Sequence, residues 1–189
     1  MKFLDEAHYY ATNAVLDIPV EYLLQYISEL EDKDWVNHKS TKSNRATEIW
    51  YSMIKRPEKY STLPDDHMVY QFPLVNPKWD TKMNSKLPRL EYSMIILKIN
   101  ANDHMLPHTD GQNNPRKTVW SFPLSGEYAP VKFYDNFDSE CVSEYTGQMF
   151  LNTANIHEVA NGPTVRYNLQ ICFEDDIDTV YKAHEDLVG

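Results

Sequence analysis

Residues 147–173 read GQMFLNTANIHEVANGPTVRYNLQICF. Three β-type runs lie in this stretch, 148–152, 157–160 and 165–173, and Asn, Gly, Pro or Thr lie between them, which are residues that favour turns. No 3.6-residue apolar period survives across it, so the spacing predicts strands joined by tight loops rather than a helix. Moving outward, the same pattern recurs at 92–99, 105–109, 118–124 and 131–134. Seven short strands after Pro88, with brief connections, predict an antiparallel sandwich or small barrel.

The first half is punctuated differently. Apolar residues at 20, 23, 24, 27 and 30 predict an amphipathic helix over 18–30, and Ile49, Trp50, Met53 and Ile54 predict a second over 44–56, stopped by Pro57. Five prolines from 57 to 88 predict an irregular connection with one short strand near 68–72. The chain therefore reads as a single domain over 1–189, with a helical and irregular layer at 1–88, a β core at 89–176 and a tail at 177–189. The acidic run EDDID at 174–178 reads as solvated surface.

Composition narrows the function. The five glycines are 111, 126, 147, 162 and 189, with no G-x-G-x-x-G or G-x-x-x-x-G-K-[ST], so a phosphate-cradling loop is excluded. The four internal glycines fall at the joints between predicted strands, where turns use positive φ. A formal charge of −10 opposes binding to a phosphate backbone and argues against a nucleic-acid partner. Cys141 and Cys172 form no C-x-x-C and read as buried thiols in a reducing compartment. No apolar run approaches the ~20 residues of a membrane span, and MKFLDEAHYY carries acids where a signal peptide is apolar. The expectation is a soluble, cytoplasmic protein, with its oligomeric state open.

The residues able to carry chemistry cluster in the β half. His108 and Asp110, in P-H-T-D, are two apart, so one strand would present both on one face. His8, His38, His67 and His184 read as surface residues, and His104 as a solvent-bonded loop histidine. His157 lies in a late β-run, nine residues before Arg166. Two imidazoles and one carboxylate on one side of a metal leave positions open, as in the non-haem Fe(II) oxygenases. An arginine fork beside such a site suits a dicarboxylate co-substrate. Trp120 and Tyr134 read as buried aromatic core.

With these residues in order, DHMLPHTDGQNNPRKTVWSFPL followed by GQMFLNTANIHEVANGPTVRYNLQICFED resembles the core of the aspartyl/asparaginyl β-hydroxylase-like group of Fe(II)/2-oxoglutarate-dependent oxygenases, over about residues 90–176. The resemblance implies a mainly β (α+β) fold, a double-stranded β-helix (jelly-roll, cupin-like) barrel with N-terminal helices packed against it. It implies that His108, Asp110 and His157 bind Fe(II), and that Arg166, with Asn168, holds 2-oxoglutarate. Dioxygen is then the other co-substrate, and hydroxylation of an amino-acid side chain, free or peptidyl, accompanies decarboxylation of 2-oxoglutarate to succinate. Asp110 agrees with the members that keep a carboxylate ligand. The arginine often found in the strand after the first ligand is missing from TVWSFPL, where only Arg116 and Lys117 precede the run.

Two rivals use the same strands. A cupin-like metal-binding or small-molecule-binding barrel without oxygenase activity leaves Arg166 without a purpose, and a scaffold with a decayed site is hard to reconcile with three intact ligands.

Overall fold

A computed structural model describes residues 8–12, 18–31, 36–37, 69–74, 90–102, 104–110, 116–125 and 129–188. Eleven strands and two helices occur among them. In chain order they are β1 (Tyr9–Ala11), α1 (Val20–Ser28), β2 (Val36–Asn37), β3 (Val69–Leu74), β4 (Tyr92–Ile99), β5 (His104–His108), β6 (Thr118–Ser125), β7 (Val131–Tyr134), β8 (Cys141–Tyr145), β9 (Met149–Asn152), β10 (Ile156–Ala160), β11 (Arg166–Phe173) and α2 (Ile177–Val188). The helix expected over 44–56 lies outside the described residues.

The strands form a seven-stranded sheet, β1-β9-β6-β11-β4-β3-β2, and a four-stranded sheet, β5-β10-β7-β8. Every pairing is antiparallel. From β4 to β11 the pairs are nested: β4 with β11, β5 with β10, β6 with β9 and β7 with β8. One long hairpin has been rolled over, so that β11 also meets β6 and β10 also meets β7. This is the strand order of a jelly roll.

β11 is buried along most of its length because it pairs on both sides and is covered on both faces. Alternation splits its residues. Leu169, Ile171 and Phe173 join Trp120, Phe122 and Phe150 in a cluster with Leu23 and Ile27 of α1 and Ile177 and Val180 of α2. Cys172, on the opposite face, joins Val119, Val131, Phe133, Met149, Leu151 and Val159, a second cluster drawn from both sheets. The layers are thus helices, the larger sheet and the smaller sheet.

Among the described residues the helical layer has a contributor from the stretch expected to be a tail. α1 falls where the period placed it, and α2, built from the predicted tail, joins it on the same apolar cluster. Asp176 caps α2 by accepting from Thr179 N–H at 2.9 Å and Thr179 Oγ1–H at 3.0 Å, bonds that hold its carboxyl below the ordinary value. Glu174, Asp176 and Asp178 are exposed as the acidic run suggested, yet Ile177 between them is buried and anchors the helix. His184, read as a surface residue, is 3% exposed, with rings of Trp120 at 4.7 Å and Phe150 at 5.3 Å. The helical period places it on the stripe of Ile177 and Val180, and that face is buried. Among the described residues its Nδ1 and the Trp120 Nε1 have no hydrogen-bond partner, and burial pushes the imidazole below its ordinary value.

Three smaller readings also change. Cys141 is exposed because β8 is an edge strand, whereas Cys172 is buried and its thiol is pushed up to about 11, chiefly by desolvation. Gly147 has a φ of +129°, as a joint glycine can, while Gly162 turns without positive φ and Asn102 takes φ 62° in the β4–β5 turn. Gly111 and Gly126 lie outside the described residues. Among the described residues no helix is long and apolar enough to cross a membrane.

Candidate metal centre

The register of the smaller sheet builds the site. β10 sets His157 opposite His108 on one side and opposite Phe133 on the other. Cross-strand partners share a face, so Phe133, His157 and His108 stand in a row at one level of the space between the sheets. His108 and Met105 are three apart, which a regular strand would send to opposite faces. A register shift between His157 and Val159 lets both face inward. His104 turns to the other face, where its Nε2 lies 2.9 Å from Glu158, so it is a strand residue with a protein partner rather than a solvent-bonded loop histidine. Tyr134 O–H also donates to Glu158, at 2.5 Å. Burial would raise that carboxyl, but these two bonds outweigh it and hold it below the ordinary value.

Asp110 reaches the site by a route that strand alternation does not supply. β5 ends at His108, and Asp110 lies beyond it, its N–H donating to the Thr153 carbonyl at 3.0 Å. Thr153 in turn donates its hydroxyl to the Arg116 and Lys117 carbonyls at 2.9 and 3.0 Å. The Asp110 Oδ1 then stands 3.6 Å from His108 Nε2 and 3.9 Å from His157 Nε2. One ligand atom from each residue lies within 4.8 Å of the other two, and the imidazole centroids are 4.4 Å apart. Ligands about 2.1 Å from one ion can be at most ~4.2 Å apart, and both histidine–carboxylate separations meet that bound.

Protonation is arranged to suit a metal. His157 Nδ1 lies 2.9 Å from the Asn155 carbonyl, an acceptor only, so Nδ1 carries the proton and Nε2 presents its lone pair to the centre. His157 is 4% exposed, while the Asp110 side chain keeps 30% exposure, so the cluster is deeply buried at β10 and less so at Asp110.

Arg166 and Asn168 face the same inter-sheet space and are 4% and 3% exposed. Arg166 donates Nε–H to Asn168 Oδ1 at 3.4 Å and Nη1–H to the Ala129 carbonyl at 3.2 Å, and Asn168 donates Nδ2–H to Ser121 Oγ at 2.9 Å. The Ala129 carbonyl that Arg166 meets lies two residues before β7, the strand whose Phe133 is level with His157.

Sequence reasoning missed the supporting residues Ser121, Thr153 and Asn155. Ser121 was findable, since alternation on β6 puts its hydroxyl on the face of Val119. The N-T-A-N of 152–155 was legible as a turn, but which of its carbonyls would face Asp110 and His157 was not.

No protein-family model matches the sequence, and no curated protein matches it. Among solved structures, a 2OG-Fe(II) oxygenase family oxidoreductase from Burkholderia pseudomallei aligns at 16% identity and a TM-score of 0.43, over 91% of this chain and 96% of its own. A Pseudomonas putida prolyl-4-hydroxylase aligns at 10% identity and a TM-score of 0.41, over 82% and 97%. Procruciferin, an 11S globulin from Brassica napus, aligns at 15% identity and a TM-score of 0.37, over 61% and 27%. Likeness this loose extends across proteins of unlike kinds, so the side chains must carry the chemistry.

Proposed function

We propose that this protein is a non-haem Fe(II)/2-oxoglutarate-dependent oxygenase of the aspartyl/asparaginyl β-hydroxylase-like group, built on a double-stranded β-helix, which hydroxylates an amino-acid side chain. The observation that carries the reading is the convergence of His108, Asp110 and His157 with ligand atoms within 4.8 Å. Two neutral imidazoles and one carboxylate, without thiolate, form the donor set of the facial Fe(II) triad and leave the opposite positions to small molecules.

Each residue then has a defined task. His108, Asp110 and His157 hold the metal, and the Asn155 carbonyl keeps His157 in its ligating tautomer. Arg166, oriented by Asn168, holds the distal carboxylate of 2-oxoglutarate. Phe133, Val159 and Leu151 line the inter-sheet space with apolar surface and keep bulk water from it. When bound, Fe(II), 2-oxoglutarate and dioxygen supply the oxidising power, with 2-oxoglutarate leaving as succinate and carbon dioxide. The more exposed Asp110 side marks the approach for a free or peptidyl amino-acid substrate.

Succinate release tests this reading. Fe(II)-loaded protein should form succinate from 2-oxoglutarate in air, and Arg166→Ala should lose that dependence while keeping its metal. A protein that binds metal yet treats 2-oxoglutarate identically with and without Arg166 would instead be a metal-binding β protein without oxygenase activity.

A further inference from the structure

We infer that His8, the residue just before β1, is a positioning residue of the metal centre, acting on His157 through Asn155. The inference rests on the metal-centre reading above and goes beyond it, because His8 precedes β1, far from the ligands in sequence.

The 152–155 turn supports two of the three ligands, its Thr153 carbonyl accepting from Asp110 N–H and its Asn155 carbonyl from His157 Nδ1–H. Internal bonds shape it: Ala154 N–H donates to Asn152 Oδ1 at 3.0 Å, and Asn155 N–H to the Asn152 carbonyl at 3.3 Å. His8 grips both ends. Its carbonyl accepts from Asn152 N–H at 3.0 Å, and its ring Nδ1 lies 3.2 Å from Asn155 Nδ2. An amide nitrogen only donates, so the His8 Nδ1 is the acceptor and its proton sits on Nε2, which faces Asp135 Oδ1 at 4.0 Å.

The ring is also fixed from the side. It stacks on Phe133 at 5.4 Å, and Phe133 is the cross-strand partner of His157. Tyr9 stacks on Phe133 at 5.2 Å and on Tyr145 at 5.0 Å, so β1 ties the edge of the larger sheet to the smaller one beside the ligand row. The hydrogen-bond series therefore runs from His8 through the Asn155 amide and carbonyl to the His157 imidazole. Loss of a support one bond from a metal ligand typically weakens binding 10–100-fold, and His8 lies one residue further out.

Three variants isolate the ring acceptor. His8→Phe keeps the stack and the backbone carbonyl but deletes the acceptor. His8→Asn restores an acceptor oxygen where Nδ1 stood. Asn155→Ala keeps the carbonyl under His157 and deletes the donor. Anaerobic titration with Fe(II) alone, beside the melting temperature of the metal-free protein, reads all three. His8→Phe and Asn155→Ala should each weaken Fe(II) binding about tenfold, the double variant no further, and His8→Asn should recover to within about threefold. Unchanged Fe(II) affinity in His8→Phe overturns the inference and leaves the metal centre standing. So do additive losses in the double variant, or affinity losses that merely follow the metal-free melting temperature. Wild-type protein that binds no Fe(II) overturns the metal-centre reading, and this inference with it.

Discussion

The two faces of β11 are read from one run of residues, RYNLQICF, yet they do unlike work. Toward the helices, Leu169, Ile171 and Phe173 are fully buried among Trp120, Phe150 and the anchors of α1 and α2, three apolar side chains in succession on that face. Toward the smaller sheet, Arg166 and Asn168 are as well buried but polar, and they share that space with the proposed ligands His108, Asp110 and His157. Burying a guanidinium costs several kcal/mol unless its hydrogen bonds are met, whereas the helix-side residues repay their burial directly. One face therefore holds the fold, and the other gives up some of that stability to buried polar groups.

Exchanging the burden between the faces should give separable losses. The largest is expected at the ligands: Asp110→Ala or His157→Ala should lower Fe(II) affinity by a factor on the order of a thousand, measured by anaerobic titration, with little change in the melting temperature of the metal-free protein. Leu169→Ala, on the helix side, should cost about 2–5 kcal/mol by denaturant titration and leave Fe(II) affinity per folded molecule within about twofold. Arg166→Ala should leave Fe(II) binding intact and weaken 2-oxoglutarate roughly ten- to a hundredfold, the value of a charge-assisted pair. Should Leu169→Ala strip the metal, or Arg166→Ala chiefly unfold the chain, the division between the faces would be wrong.

The smallest effect concerns pH. Burial holds the His184 imidazole below its ordinary value, opposed by the neighbouring Glu185. The unfolded chain binds a proton there near pH 6.5 while the folded chain does not, so stability falls as pH drops from about 6.5 toward the depressed folded value. Melting temperatures between pH 7.5 and about 5.5 should fall more steeply in the wild type than in His184→Phe, which removes the titrating group. Equal slopes would show that the C-terminal helix is not acid-sensitive through this residue.

The contrast also explains what the sequence disclosed. Alternation and turn residues are local properties, so β4, β6, β7 and β11 were legible nearly to their ends, as was α1. Strands of weak alternation were not: β8 lies at an exposed edge and β1 has only three residues. α2 was hidden by the acidic run over its first turn, although Ile177, Val180 and His184 carry the helical spacing. Among the proposed site residues, His108, Asp110, His157, Arg166 and Asn168 were nameable because residue type and order restrict the chemistry. Asp110 is the instructive one, since alternation placed it beside His108 whereas the Thr153 carbonyl delivers it. Supports of that kind depend on which turn meets which strand end, and only the folded chain supplies that.

The central claim, that the inter-sheet face is a ferrous 2-oxoglutarate site, is tested most directly by anaerobic calorimetry of 2-oxoglutarate binding with and without Fe(II). The account predicts that Fe(II) binds alone, that 2-oxoglutarate binds far more tightly once Fe(II) is present, and that saturating both at about a hundred times their dissociation constants raises stability by ~2.7 kcal/mol for each ligand. Binding of 2-oxoglutarate indifferent to Fe(II), or no binding of Fe(II) at all, would contradict it.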